Sequence, residues 1–279
     1  VAEIERFKVR FSKIKSEINM KGFLLLFIYF SLLIENQCQT NDIRKGKLYL
    51  RWGYNKEWYS KSDIKVIQPE LGNHFVFTEV QGKDKPGWNT GIFNKPLTIP
   101  QYNYRLGYFL TNHWLFELNF DHTKFIVPNQ KLHLTGLINN FKVDTFLDRN
   151  DQVLAYQLNN GANFFLFNIG YRWNVSRLSN KYFNNSILLK GGAGFLYPHV
   201  QNTILGNDNV PDFQYGGLDI GIEGVWRTTL YKYIYMEYAL KALYADYNQL
   251  KIYKGRASQK FSCFEMILNL GIEIPTNAN

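Results

Sequence analysis

Tyr102-Asn103-Tyr104-Arg105-Leu106-Gly107-Tyr108-Phe109-Leu110-Thr111-Asn112-His113-Trp114-Leu115-Phe116-Glu117-Leu118-Asn119-Phe120-Asp121 is the stretch that decides the fold. Tyr102, Tyr104, Leu106 and Tyr108 alternate with Asn103, Arg105 and Gly107; Trp114, Phe116, Leu118 and Phe120 alternate with Leu115, Glu117, Asn119 and Asp121. A sustained period of two is the mark of a strand, and Thr111-Asn112-His113 between the two runs has the length of a hairpin turn. Centring that turn on Asn112 sets Asn103 opposite Asp121, Arg105 opposite Asn119 and Gly107 opposite Glu117. Arg105 is then diagonal to two carboxylates, within reach of a long side chain.

The same alternation recurs outward from this hairpin. It marks eight segments: Lys47–Tyr54, Ile99–Leu110, Trp114–Val127, Phe165–Trp173, Ser186–Tyr197, Phe213–Thr228, Tyr233–Tyr247 and Ala257–Ile274. A soluble sandwich or lipocalin-like barrel would hide the apolar face inside; a transmembrane barrel would turn it to lipid and point the polar face inward. Three features favour the transmembrane barrel. The polar face is rich in glycine, as a crowded lumen tolerates. Many segments reach ten residues, as tilted membrane strands require. Trp114, Trp173 and Trp226 adjoin short turns, as interfacial aromatics do, and Trp52 is grouped with them. The expected fold is therefore an all-β, up-and-down antiparallel transmembrane β-barrel of eight strands over residues 46–274. With short turns periplasmic, both ends lie in the periplasm. The long connections Asn55–Thr98 and Pro128–Gly161 then fall outside, where His74–Gln81 and Lys131–Gly136 read as strands of β-hairpins. Shorter outer loops are expected near Gly206–Asp212 and Asn248–Arg256.

The 279 residues are 46% hydrophobic, 17% aromatic and 20% charged, which excludes a wholly disordered chain. Phe23–Ile34 is the one continuous apolar run, so a multi-helix membrane protein is excluded as well. Preceded by Met20-Lys21-Gly22 and followed by a polar end at Cys38, that run makes residues 1–38 an N-terminal extension and signal peptide. The formal charge of +9 is scattered, which gives no reason to expect nucleic acid as a partner. Two cysteines make no disulfide framework, and no histidine spacing suggests a metal site; no cofactor is expected.

The inward positions carry Arg51, Arg105, Arg172, Lys190, Arg227 and Lys241 against Glu117, Asp121, Asp219, Glu223, Glu237, Glu265 and Glu273. An ion-selective pore would favour one sign. A balanced set, in a barrel just wide enough for side chains, reads as an ion-pair network. Arg227 is expected to meet Glu237 and Glu223 to meet Lys241.

The signal peptide, the interfacial tryptophans and the closing segment Ala257–Ile274 resemble those of the small eight-stranded outer-membrane barrels of Gram-negative bacteria, of the OmpA- and OmpW-like kind. Tyr104-Arg105-Leu106-Gly107-Tyr108-Phe109 with Trp114, and Asp121-His122-Thr123-Lys124, also resemble uncharacterised barrels of Bacteroidota. The resemblance implies an outer-membrane location after leader removal and contact with outer-membrane lipid. Unlike many such barrels, the last strand ends on Ile274 rather than an aromatic residue.

Three functional readings follow. The first is a non-enzymatic barrel with a largely plugged lumen and long surface loops, acting as a structural or surface-interaction protein with a surface or periplasmic protein partner. The second is an outer-leaflet lipid hydrolase using His122 beside Asp121, because an imidazole facing lipid at a strand's outer end invites an activated-nucleophile reading. The third is a narrow pore for small solutes. Cys263 points inward as an inert thiol, and Gly191-Gly192-Ala193-Gly194 lies within a strand pattern rather than in a phosphate loop.

Overall fold

A chain whose residues alternate between apolar and polar can satisfy both faces by closing into a ring, lipid on one side and lumen on the other. The computed structural model describes residues 43–85, 101–158, 161–175 and 183–275. The leader expected over residues 1–38 lies outside them. In chain order the strands are β1 (Lys47–Tyr59), β2 (Ser62–Gln68), β3 (Asn73–Val80), β4 (Tyr102–Phe109), β5 (Trp114–His122), β6 (Phe125–Ile126), β7 (Lys131–Ile138), β8 (Phe141–Asp148) and β9 (Leu154–Leu158). They continue as β10 (Phe164–Asn174), β11 (Phe183–Leu196), β12 (His199–Ile204), β13 (Asn207–Asp208), β14 (Asp212–Phe213), β15 (Gly217–Leu230), β16 (Ile234–Ile252) and β17 (Gly255–Pro275).

Eight of them, β1-β4-β5-β10-β11-β15-β16-β17, form an antiparallel ring, closed where β1 pairs with β17 from Lys47↔Pro275 to Tyr59↔Cys263. Partners can be followed round this ring from Leu48 through Tyr108, Phe116, Ile169, Gly191, Ile222, Ala242 and Phe264. The path returns to β1 at Trp58, ten residues above its start. That stagger over eight strands tilts them by about 40° from the barrel axis. Outward positions from Leu48 to Tyr54, Trp114 to Phe120, Leu218 to Trp226 and Phe264 to Ile274 are free of charge. Along β17 the apolar belt spans Phe264 to Ile274, which at this tilt is about 25 Å tall, the height of a membrane belt.

The β4–β5 register pairs Asn103 with Asp121, Arg105 with Asn119 and Gly107 with Glu117, as centring the turn on Asn112 requires. Glycine is needed at 107 because a Cβ there would fall inside the ring of Tyr49; Gly271 makes the same room for Tyr235.

Several segment limits differ from expectation. β1 continues past Tyr54 to Tyr59, because Glu57 and Tyr59 still have an interior to face. Trp114–Val127 breaks after His122, with Phe125–Ile126 joining another sheet. Phe213 belongs to β14, not to the barrel strand that starts at Gly217. The expected loop Asn248–Arg256 is instead strand, with its turn at Tyr253 and Lys254 and a bulge between Tyr247 and Leu250. Leu250, Ile252 and Ala257 keep the pairing going by burying their side chains.

Above the ring, the outer end of β17, Arg256 to Gln259, pairs with β2, extending the wall into β2-β3-β7-β8. Facing it is a small sheet, β13-β12-β9-β6, with β14 beside β12. Ile64, Val66, Phe75 and Phe77 from the first sheet meet Leu154, Tyr156 and Leu158 from the second in one buried cluster. The long connections therefore form a folded outer β-domain with its own core. β2 was missed in sequence; the strand read at His74–Gln81 is β3, and that read at Lys131–Gly136 is β7.

Candidate functional site

All thirteen charged positions read as inward are buried in the barrel interior. Their contacts form a ladder. At its foot Glu273 pairs with Arg44, Lys47 at 3.4 Å and Arg227 at 3.1 Å. Arg227 Nε reaches Glu237 at 2.5 Å, and its guanidinium stacks over the rings of Tyr235 and Tyr49 at 4.2 and 4.7 Å. Arg51 joins Glu237 to the middle rungs, Glu223 at 3.0 Å and Glu117 at 3.2 Å. Lys190 bridges the same two carboxylates at 2.7 and 3.1 Å, and Tyr49 donates its hydroxyl to Glu117 at 2.7 Å. Arg105 reaches Asp121 at 2.5 Å and Glu117 at 3.6 Å, the two diagonal carboxylates. Lys241 closes the top by pairing with Asp121 and, at 3.3 Å, with Glu265.

Two expected members stand apart. Arg172 lies at the short-turn end, donating to Asn184 Oδ1 at 3.1 Å and to the Asn112 carbonyl at 3.5 Å. Neither carboxylate oxygen of Asp219 meets a hydrogen-bond donor of another residue among the described residues. The Glu223–Lys241 pair does not form: the two face each other across β15 and β16, but closer partners claim both. Sequence reasoning missed Arg44, which precedes β1, although the basic pair Arg44-Lys45 beside the first strand signalled it. It also missed Glu57, which lay beyond the expected end of β1. Glu57 accepts the Gln101 amide and sits directly opposite Glu265.

Over the ladder the interior turns apolar. Phe164, Leu166, Leu196, Leu243 and Phe261 are inward and buried, and they belong to the cluster that forms the core of the outer domain. The barrel's outer end and the domain above it share one core. In that core burial raises the pKa of the Tyr156 phenol. At the rim, burial and then the nearby Lys85 charge lower that of Lys124.

Trp114 and Trp173 lie at the short-turn end, both packed on Tyr171, at 5.0 and 4.7 Å. Trp226 is two outward positions in from Leu230. Trp52 does not belong with them. It lies mid-belt, four residues above Leu48, because rows of paired residues climb as they pass round the barrel. The outer end has its own aromatic row in Phe120, Phe165 and Phe195, with centroids 4.7 and 4.9 Å apart, and Trp58 against Phe264.

Asp121 and His122 are not brought together. Neighbours in a strand point to opposite faces, so Asp121 enters the ladder while His122 faces out. The His122 imidazole stacks on Tyr102 at 4.5 Å and hydrogen bonds Asn163 Oδ1 at 2.9 Å. A second histidine has a more suggestive arrangement. His133 Nδ1 lies 3.1 Å from Thr78 Oγ1, and its Nε2 lies 2.8 Å from Asp144 Oδ1. This row crosses an open sheet face, where backbone N–H groups are committed to strand pairing, so it lacks donors for an oxyanion. Among the described residues no cluster of metal-ligating side chains occurs.

A closed ring with a charge-free belt, short turns at one end and a folded domain at the other is built for one place. The chain is an outer-membrane β-barrel. No family model matches it, and no curated protein does. Among solved structures it is similar to the outer membrane protein OprG of Pseudomonas aeruginosa (11% identity, 84% of this chain and 98% of that one, TM-score 0.36). It is also similar to Ail, the attachment invasion locus protein of Yersinia pestis (10% identity, 82% and 99%, TM-score 0.34). A third is the outer membrane protease OmpT of Escherichia coli (9% identity, 85% and 99%, TM-score 0.34). These overlaps carry no residue-level correspondence.

Proposed function

We propose that this barrel is a non-enzymatic, non-conducting outer-membrane protein whose working part is the folded outer β-domain, presented as a surface for another molecule. The observation that supports this reading is the double filling of the barrel: a connected ion-pair ladder lies beneath an apolar core continuous with the outer domain. A solute path would have to break buried ion pairs and then cross packed apolar side chains, each costing several kcal/mol. The wall thus serves as an anchor, and surface chemistry is left to the outer strands. The test is purified protein in a planar bilayer, with phospholipid and lipid A hydrolysis followed in parallel. The expected result is no steady conductance and no turnover. A steady conductance step, or a turnover abolished by His122→Ala, would overturn the reading.

A further inference from the structure

The extended sheet ends on β8, and among the described residues β8 pairs only with β7. It runs Phe141-Lys142-Val143-Asp144-Thr145-Phe146-Leu147-Asp148, with Phe141 75% and Phe146 60% exposed. Edge strands of this length are usually shielded by proline, a bulge or a cover; β8 has eight regular residues and no proline. It is also packed on both faces. Val143 and Leu147 pack on the outer-domain core, and on the other face Phe146 stacks on His133 at 4.5 Å while Asp144 bonds the same imidazole.

The turn before β8 fixes which backbone groups are free. Ile138 pairs with Phe141 around Asn139 and Asn140, whose φ values of 50° and 65° are those of a type I′ hairpin. The residues flanking such a turn form a hydrogen-bonded pair, so Phe141, Val143, Thr145 and Leu147 direct their backbone to β7. Lys142, Asp144, Phe146 and Asp148 direct theirs to the open edge.

From this we infer that β8 is a self-complementary docking edge, on which a second copy of this chain pairs its own β8 antiparallel to form a two-fold dimer. Backbone polarity admits only registers that match edge-directed residues with each other. Of these, the register centred on Asp144 or on Phe146 sets carboxylates against each other, at Asp144 itself or between Asp144 and Asp148. The register centred on Thr145 sets Lys142 against Asp148, Asp144 against Phe146 and Val143 against Leu147, each twice by symmetry, and Thr145 against its own copy; the register centred on Val143 also opposes Lys142 and Asp144 but leaves Phe146 to Asp148 outside the pairing. The Thr145-centred register joins opposite charges at both ends of one face and apolar residues on the other, in the self-matching manner of an isologous contact. The inference is independent of the closed lumen, since a conducting barrel could pair in the same way.

The experiment is light scattering of the detergent-solubilised full chain across a concentration series, with charge-swap variants. Lys142→Asp or Asp148→Lys turns two opposite-charge pairs into two like-charge pairs and should weaken dimerisation by about tenfold or more. The double swap should restore it. Thr145 falls at a non-hydrogen-bonded pair with Cα atoms about 4.5 Å apart, within disulfide reach. Thr145→Cys, in a chain carrying Cys38→Ser, should therefore oxidise to a covalent dimer. A monomer at every concentration, swaps without effect, or no cross-link at 145 would each overturn the proposal.

Discussion

Arg51 is the rung on which the lumen turns, and its replacement gives the sharpest test of how dry the barrel is. It joins Glu237 below to Glu223 at 3.0 Å and Glu117 at 3.2 Å above. In Arg51→Ala, Glu237 keeps Arg227 at 2.5 Å. Glu223 and Glu117 are left to share Lys190 with Arg105, which lies 3.5 and 3.6 Å from them and is also committed to Asp121 at 2.5 Å. About one buried negative charge then lacks a cation. Removing one partner from such a site costs on the order of 3–5 kcal/mol, far more than an exposed pair would lose. The double variant Arg51→Ala/Glu223→Gln removes the excess carboxylate as well, so its loss should be clearly smaller than the sum of the single losses. Urea unfolding in lipid vesicles, followed by tryptophan fluorescence and by the mobility of unheated samples on gels, measures both. If Arg51→Ala unfolds within about 1 kcal/mol of the parent, the site is wet and screened, and the argument from buried pairing fails.

Gly107→Ala should destabilise the barrel by about 1–3 kcal/mol, because its Cβ meets the Tyr49 ring, and Tyr49→Leu in the same chain should recover part of that loss. Phe164→Ala should cost about 3–5 kcal/mol in the same unfolding assay, as a buried aromatic at the junction of barrel and outer domain. An epitope tag inserted between Asn139 and Asn140 should bind antibody on intact cells and one at Asn112 should not; the reverse pattern would invert the topology. Leu118→Ile on the lipid face should shift stability by under about 1.5 kcal/mol, which checks that the large effects belong to the interior.

The barrel was readable because its signal repeats every two residues and one short turn fixes a register. A turn centred on Asn112 brings Arg105 diagonal to Glu117 and Asp121, and both contacts form. The outer domain was harder. Its hairpins β2–β3 and β7–β8 have local turns, but β17 pairs with β2 and β3 with β7 across long stretches of chain that no local turn specifies. Trp52 shows a different limit. Which face a residue takes is written in the local alternation, but its height in the membrane depends on the stagger accumulated over the whole ring. Arg44 and Glu57 escaped notice because they lie just beyond the apparent ends of the first segment, where the alternation weakens before the contacts do.

β17 runs unbroken from Gly255 in the outer domain to Pro275 at the short-turn end, bound to β16 along one edge and to β2 and then β1 along the other. The strand that seals the ring is therefore also the strand that carries the outer sheet. A pull on that sheet is delivered lengthwise into the wall, where it strains many ladder hydrogen bonds at once instead of peeling them one by one. The seam of the barrel is also the tether of the outer sheet.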